Sequence, residues 1–234
     1  MKWYGLALGS YLLTAGLFYW GYTGKKQFNY PSKTFFNVSG LDVSHHQGDI
    51  DWKLVGKSHF KFVYIKSTEG ASFKDKNFLK NYAGAKKEGL LVGGYHFWTF
   101  CKTAEEQIKN LKDTVPHSIG DMVPAIDIES AYGCGLDDAS ARLSKDLEKL
   151  NAKILATYGE LPVVYTTREF AKLHPEIFKF KNIFWLRSLV GPPMYEKRWG
   201  IWQYYNGGEV KGIDAPVDVN VFSNKLLISR IIQK

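Results

Sequence analysis

The chain has only two cysteines, Cys101 and Cys134, among 234 residues, which excludes a disulfide-dense scaffold and leaves at most one pairing. It also lacks tandem repeats and any Pro- or Ser-rich linker that would divide it. With 45% hydrophobic residues it is long enough for one sizeable core, a single domain of barrel size. Negative charge is in short supply: 31 Lys and Arg face 23 Asp and Glu, a formal charge of +8. That balance favours anionic partners such as nucleic acid, acidic lipid or a charged polymer, and does not choose among them. No nucleic-acid motif surrounds the basic clusters at Lys25-Lys26, residues 57–61 and Lys86-Lys87. They are scattered, read as solvated surface, and leave no nucleic-acid partner expected.

Charge is absent altogether from Trp3 to Gly24, "WYGLALGSYLLTAGLFYWGYTG", just after Lys2. At about 1.5 Å per helical residue this stretch just crosses a bilayer core of about 30 Å. Trp3 and Tyr4 at one end and Tyr19, Trp20 and Tyr22 at the other resemble interfacial belts, which favours an uncleaved anchor. A signal peptide, with small residues at Thr14-Ala15-Gly16, is the alternative. Residues 1–24 are therefore read as membrane anchor or signal, 25–39 as a linker and 40–234 as the folded domain. That domain is expected outside the cytoplasm, tethered and facing the periplasm or exterior, or secreted after cleavage.

Beyond residue 40 the pattern alternates. Strand-like segments rich in Val, Ile and aromatics fall near 41–44, 60–66, 91–98, 123–128, 162–166, 183–187, 200–204 and 217–221. Helical stretches lie near 74–88, after the capping box Thr103-Ala104-Glu105-Glu106, over 138–158 closed by Gly159, and over 168–173 before His174-Pro175. Strand and helix in turn imply parallel strands with helices outside, and eight strands imply a closed α/β barrel. The last three strands have connections too short for helices, so the expected fold is a TIM-like (β/α)5β3 barrel preceded by the N-terminal hydrophobic helix. A doubly wound open sheet is the alternative.

Chemistry in such barrels sits at the C-terminal strand ends. There "VPAIDIES" carries Asp127 and Glu129, two residues apart and so on one strand face, with Cα atoms roughly 7 Å apart. Asp42 ends the first strand and Asp218 lies on the last. First and last strands are neighbours in a closed barrel, so these four acids are expected to converge.

The segments "LDVSHHQGDIDW", "FVYIKSTEGASFKDKNF", "VGGYHFW", "PAIDIE", "VVYTT" and "WGIWQYYNGGEVKGIDAPVDVNVF", in that order, resemble the glycoside hydrolase family 25 muramidases, the Chalaropsis-type lysozymes. The resemblance runs from about residue 40 to 223. It implies cleavage of the β-1,4 bond between N-acetylmuramic acid and N-acetylglucosamine in peptidoglycan. Glu129 then matches the general acid, Asp127 its partner acid, and Asp42 and Asp218 the acids of the first and last strands. "FWLRSL" departs from a more usual "WIA" segment, and "HH" follows Asp42-Val43-Ser44 where an aromatic is common at the second position.

Glycoside cleavage needs a proton for the leaving oxygen and a partner carboxylate in the other protonation state. Negative charge on the neighbouring acids is expected to keep Glu129 protonated. Asp127, on the same face, is better placed to orient the substrate's 2-acetamido group than to attack across the ring, which implies net retention. Inversion through Asp42 or Asp218 is the competing scheme. Expected substrate contacts are Lys66, Glu69, Tyr95, Phe97, Tyr165, Trp185 and Gln203, with Tyr64, Trp98 and Tyr204 as further aromatics near strand ends. His45 and His46, adjacent on an extended segment, point apart, so no metal site is expected with His96, and no cofactor. Cys101 and Cys134 fall on adjacent loops at one barrel face, where a disulfide would fasten the rim; two buried thiols are the other reading. The expected partner is peptidoglycan, met as a monomer, with the membrane as a second partner if the anchor stays. Rival readings are a catalytically silent peptidoglycan-binding barrel and a glycosidase of another N-acetylhexosamine polymer.

Overall fold

Short runs of β-branched and aromatic residues become strands because they are buried on both faces, by the barrel interior on one side and by helices on the other. A computed structural model of the protein describes residue 27, residues 29–130 and residues 139–234. Its strands are β1 (Ser39–Val43), β2 (Phe62–Glu69), β3 (Phe73–Lys74), β4 (Leu91–Phe97), β5 (Ala125–Asp127), β6 (Val163–Thr167), β7 (Phe184–Arg187), β8 (Trp199–Val210) and β9 (Ile213–Phe222). Their order is β1-β9-β8-β7-β6-β5-β4-β2-β3, and a further β1–β2 pairing closes the ring. That closure rules out the open doubly wound sheet.

Eight strands make the barrel. The ninth, β3, is a two-residue arm folded back on the end of β2, in a stretch whose latter part was expected to begin a helix. Strands β1, β2 and β4–β8 run parallel, whereas β9 runs antiparallel to both β8 and β1. β8 and β9 form one long hairpin, so the barrel closes through an inverted strand.

Helices α1 (Trp52–Gly56), α2 (Phe78–Lys87), α3 (Ala104–Lys112), α4 (Ala139–Tyr158) and α5 (Arg168–Leu173) cover part of the outside. α3 starts at the expected capping box: Thr103 Oγ1 accepts from the Glu106 amide, and the Glu106 carboxylate accepts from the Thr103 amide. α4 stops at Gly159, whose φ of +79° suits a residue without a Cβ. α1 was not anticipated, because a single turn capped by Asp51 is too short to show a period. In the barrel interior Tyr64 stacks on Trp185 at 5.1 Å and its hydroxyl donates to the Val123 carbonyl. Gly93 makes room for it, since a Cβ there would lie 2.4 Å from the Tyr64 ring.

No helix covers β8. Trp199 and Trp202 are covered instead by Phe36, with ring centroids 6.2 and 5.7 Å away. Asn29 is buried and donates to the carbonyls of Ser188 and Tyr204. The stretch expected to be a linker thus lies in part against the barrel wall, where it shields aromatic surface the helices leave bare. The candidate anchor, residues 1–24, lies outside the described residues. Among the described residues no helix is long and apolar enough to cross a membrane.

Candidate active site

Closure of the ring brings Asp42 on β1 directly opposite Asp218 on β9 in the strand register. Because β9 is inverted, Asp218 reaches the mouth from the middle of its strand, where the pairing with β1 begins, rather than from its C-terminal end. β5 ends at Asp127, and the Ile128 amide continues the ladder to the Tyr165 carbonyl at 2.9 Å, so Glu129 stands just beyond the strand. These elements enclose a pocket of about 250 Å³ lined by Asp42, Lys66, Tyr95, Phe97, Asp127, Glu129, Tyr165, Trp185, Arg187, Gln203, Asn206 and Asp218. All four acids and every expected contact except Glu69 are among them. Glu69 instead pairs with Lys66 at 2.6 Å, outside the lining.

One wall of the pocket is a closed hydrogen-bond network. Asp42 accepts from Gln203 Nε2 at 3.0 Å and from Asn220 Nδ2 at 2.7 Å. An indole N–H can only donate, so the 2.8 Å contact from Trp185 Nε1 fixes the facing Asn220 atom as oxygen and turns its amide N–H toward Asp42. Tyr165 does the same for Gln203, donating its hydroxyl to Oε1 at 3.0 Å. Burial raises the Asp42 carboxyl above the usual range, opposed by the Asn220 and Gln203 hydrogen bonds. Asp218 is raised well above that range, by burial first and then by the charge of Asp42, to which it is hydrogen-bonded. Both carboxyls are raised, Asp218 the more strongly, so the pair favours one shared proton over two adjacent charges.

The opposite wall is unsatisfied. Asp127 Oδ1 is buried without any hydrogen-bond partner. Its carboxyl is held well above the usual range, by burial first and then by the charges of Glu129 and Asp42. Glu129 is raised as well, but the largest cause is burial rather than the neighbouring negative charge expected, and Arg187 pulls against it. All four carboxyl groups are raised, chiefly by burial, so the pocket disfavours ionisation of the whole set.

Asn220, Arg187 and Asn206 were not anticipated. The first two had a signal in the strand period: Asn220 follows Asp218 by two positions in "VDVNVF", and Arg187 follows Trp185 by two in "FWLR". Among the remaining candidates, Tyr64 and Trp98 belong to the core, and Tyr204 packs edge-on against Trp202. His45 and His46 sit on a 3-10 turn rather than an extended segment, so their rings lie side by side, 4.0 Å apart and tilted by 37°, instead of pointing apart. His45 Nδ1 pairs with Asp75 at 2.8 Å. His96 is buried away from them against Thr68 and Gln107, and desolvation lowers it to about 4. No described cysteine is free; Cys134, the expected partner of Cys101, lies outside the described residues.

An eight-stranded barrel with an acidic pocket at its strand ends is the architecture of a glycoside hydrolase. The sequence profile described as Glycosyl hydrolases family 25 matches residues 41–213, and the chain belongs to that family. It is 28% identical to Escherichia coli K12 protein YegX over 90% of this chain and 79% of that protein. Identity to Lysozyme M1 of Streptomyces globisporus is 30%, over 80% and 68% of the two chains. A family 25 glycosyl hydrolase structure from Bacillus anthracis superposes with a TM-score of 0.75 at 31% identity, covering 86% of this chain and 95% of the other.

Proposed function

We propose that the protein is an exported muramidase that hydrolyses the β-1,4 bond between N-acetylmuramic acid and N-acetylglucosamine. The observation that carries this is the convergence of Asp42, Asp127, Glu129 and Asp218 on one pocket of a family 25 barrel. Glu129 is the general acid. Its carboxyl proton passes to the glycosidic oxygen as the bond to the anomeric carbon breaks. The substrate's acetamido oxygen attacks that carbon from the other face, and the acetamido N–H donates to Asp127. Such a contact would supply the partner that buried Asp127 Oδ1 lacks, and would favour the ionised form of Asp127 when substrate is bound. Water, deprotonated by the Glu129 carboxylate, then opens the cyclic intermediate and returns the proton to Glu129, with net retention.

Two sides of the pocket serve different tasks in this scheme. Asp42, fixed by Gln203 and Asn220, offers negative charge to the oxocarbenium-like transition state, while the β5 side handles the proton and the acetamido group. Release of reducing ends from purified peptidoglycan, with mass spectrometry of the fragments, tests the activity. Muramic acid at the new reducing ends is expected; glucosamine there, or no release, refutes the reading. Proton NMR of the first product tests the route, with the β-anomer expected and the α-anomer excluding acetamido assistance.

A further inference from the structure

Arg187 occupies a position that the scheme above leaves without a task. It ends β7, lines the catalytic pocket, and also lines a small adjoining cavity of about 60 Å³ formed with Arg168, Glu169, Ser188, Leu189 and Val190. The Tyr195 hydroxyl donates to its backbone carbonyl at 3.2 Å and steadies the strand end. Of the two cations lining the catalytic pocket, Lys66 is held by Glu69 at 2.6 Å, within direct hydrogen-bond distance. Arg187 meets Glu169 only at 3.8 Å, beyond such a bond, with side chains 34% and 49% exposed. A pair that long and that wet is weakly coupled, so the guanidinium fork can turn to a better acceptor at little cost.

Charge gives the reason such a cation is needed. Four carboxyl groups line the pocket, so a ligand bringing a carboxylate of its own is repelled unless a cation receives it at the edge. A guanidinium matches a carboxylate in a planar two-point contact, and Arg168 adds a second positive charge in the adjoining cavity. We infer that Arg187, backed by Arg168, forms a subsite that reads a carboxylate carried by the substituent of the sugar in the pocket. The inference rests on the muramidase reading and narrows it. It makes the enzyme selective for acid-bearing strands over neutral N-acetylhexosamine polymers. The carboxylate has two sources, the free lactyl group of a glycan stripped of peptide and an acid within an attached stem peptide.

The test is calorimetric binding of three tetrasaccharides of alternating N-acetylglucosamine and N-acetylmuramic acid. One has free lactyl carboxylates, one has them as methyl esters, and one carries stem peptides on them. Wild-type protein is expected to bind the free acid or the peptide-bearing form at least about tenfold more tightly than the ester. Whichever of the two binds better identifies the source, and either supports the subsite. In Arg187→Leu that ratio is expected to fall to about one, and in Arg187→Lys to recover in part, since a point charge lacks the two-point fit. A wild-type protein that binds all three ligands equally, or none at millimolar concentration, overturns the inference without any variant. So does an Arg187→Leu protein with an unchanged ratio. If Arg187 acts only by drawing on Glu129, its loss shifts the pH profile of turnover and weakens acid and ester alike. A protein that shows the binding ratio but cleaves no peptidoglycan would retain the subsite and lose the muramidase reading.

Discussion

Each wall of the catalytic pocket carries two acids, and the walls differ in whether the hydrogen bonds of those acids are met. On the β1/β9 side, Asp42 has two amide donors, each aimed by a further donor from Tyr165 or Trp185. On the β5 side, Asp127 keeps a buried oxygen with no partner. A satisfied buried network rigidifies and stabilises; an unsatisfied one costs stability until something binds to it. The satisfied wall is therefore a fixed electrostatic surface, and the unsatisfied wall is the part that awaits substrate. Substitutions on the two walls should fail in different ways, by loss of rate on β5 and by loss of stability on β1/β9.

Glu129→Gln breaks the comparison most severely. Glutamine keeps the size and a donor, but has no proton to transfer to a leaving oxygen. Turnover of peptidoglycan is expected to fall about a thousandfold or more while the melting temperature stays within about two degrees of wild type. Retained activity would take the acid role away from Glu129.

Asp127→Asn is expected to cost about a hundredfold in kcat, since an amide holds the acetamido group without its charge. Its stability should respond to pH in a distinctive way. The Asp127 carboxyl is raised in the fold, so between its unfolded and folded values the native state binds more protons than the unfolded chain. Stability then falls as pH rises through that interval. The variant removes this contribution, and melting curves from about pH 4 to pH 7 should decline less steeply than for the wild type. A parallel decline would mean that Asp127 is not the source of the strain.

Asn220→Ala tests the other wall. It strips a donor from Asp42 and orphans the Trp185 indole N–H in a buried site, so a loss of about 3 kcal/mol in denaturant-measured stability is expected. A loss below about 1 kcal/mol would show that the network is not what holds this wall.

Much of this geometry was legible in the sequence. Capping box, closing glycine and alternating segments located four of the five described α-helices and the eight barrel strands, and a D-x-E at a strand end marked the β5 wall. Barrel closure makes the first strand a neighbour of the last, but it is the inverted run of β9 that sets Asp218, early in the expected 217–221 strand, level with Asp42 at the mouth. The inverted direction of β9 was not expected, although Lys211-Gly212, the two residues between β8 and β9, is a turn signal that fits a hairpin. Phe36 was missed for a different reason. Its partners, Trp199 and Trp202, lie on a strand that no described α-helix packs on extensively, a fact of tertiary structure that no local period carries. Of the donors around Asp42, Gln203, Tyr165 and Trp185 were expected as substrate contacts; Asn220 was not, because a neutral amide on a strand carries no charge signal of its own.

Tyr165→Phe makes the finest cut between the walls. It removes a single hydroxyl, the donor that orients Gln203, and leaves the Trp185–Asn220–Asp42 chain in place. Without that hydroxyl the Gln203 amide is free to rotate and present oxygen to Asp42, which a carboxylate repels but a carboxylic acid accepts. The Asp42–Asp218 pair answers by moving its shared proton toward Asp42, so that less negative charge faces the transition state. The expected loss is about 1 kcal/mol of stability and less than about tenfold in kcat, with a smaller rate deficit at high pH, where the proton on Asp42 is lost and its charge returns. A stability loss with a pH profile unchanged from wild type would mean that Asn220 alone fixes the charge on Asp42.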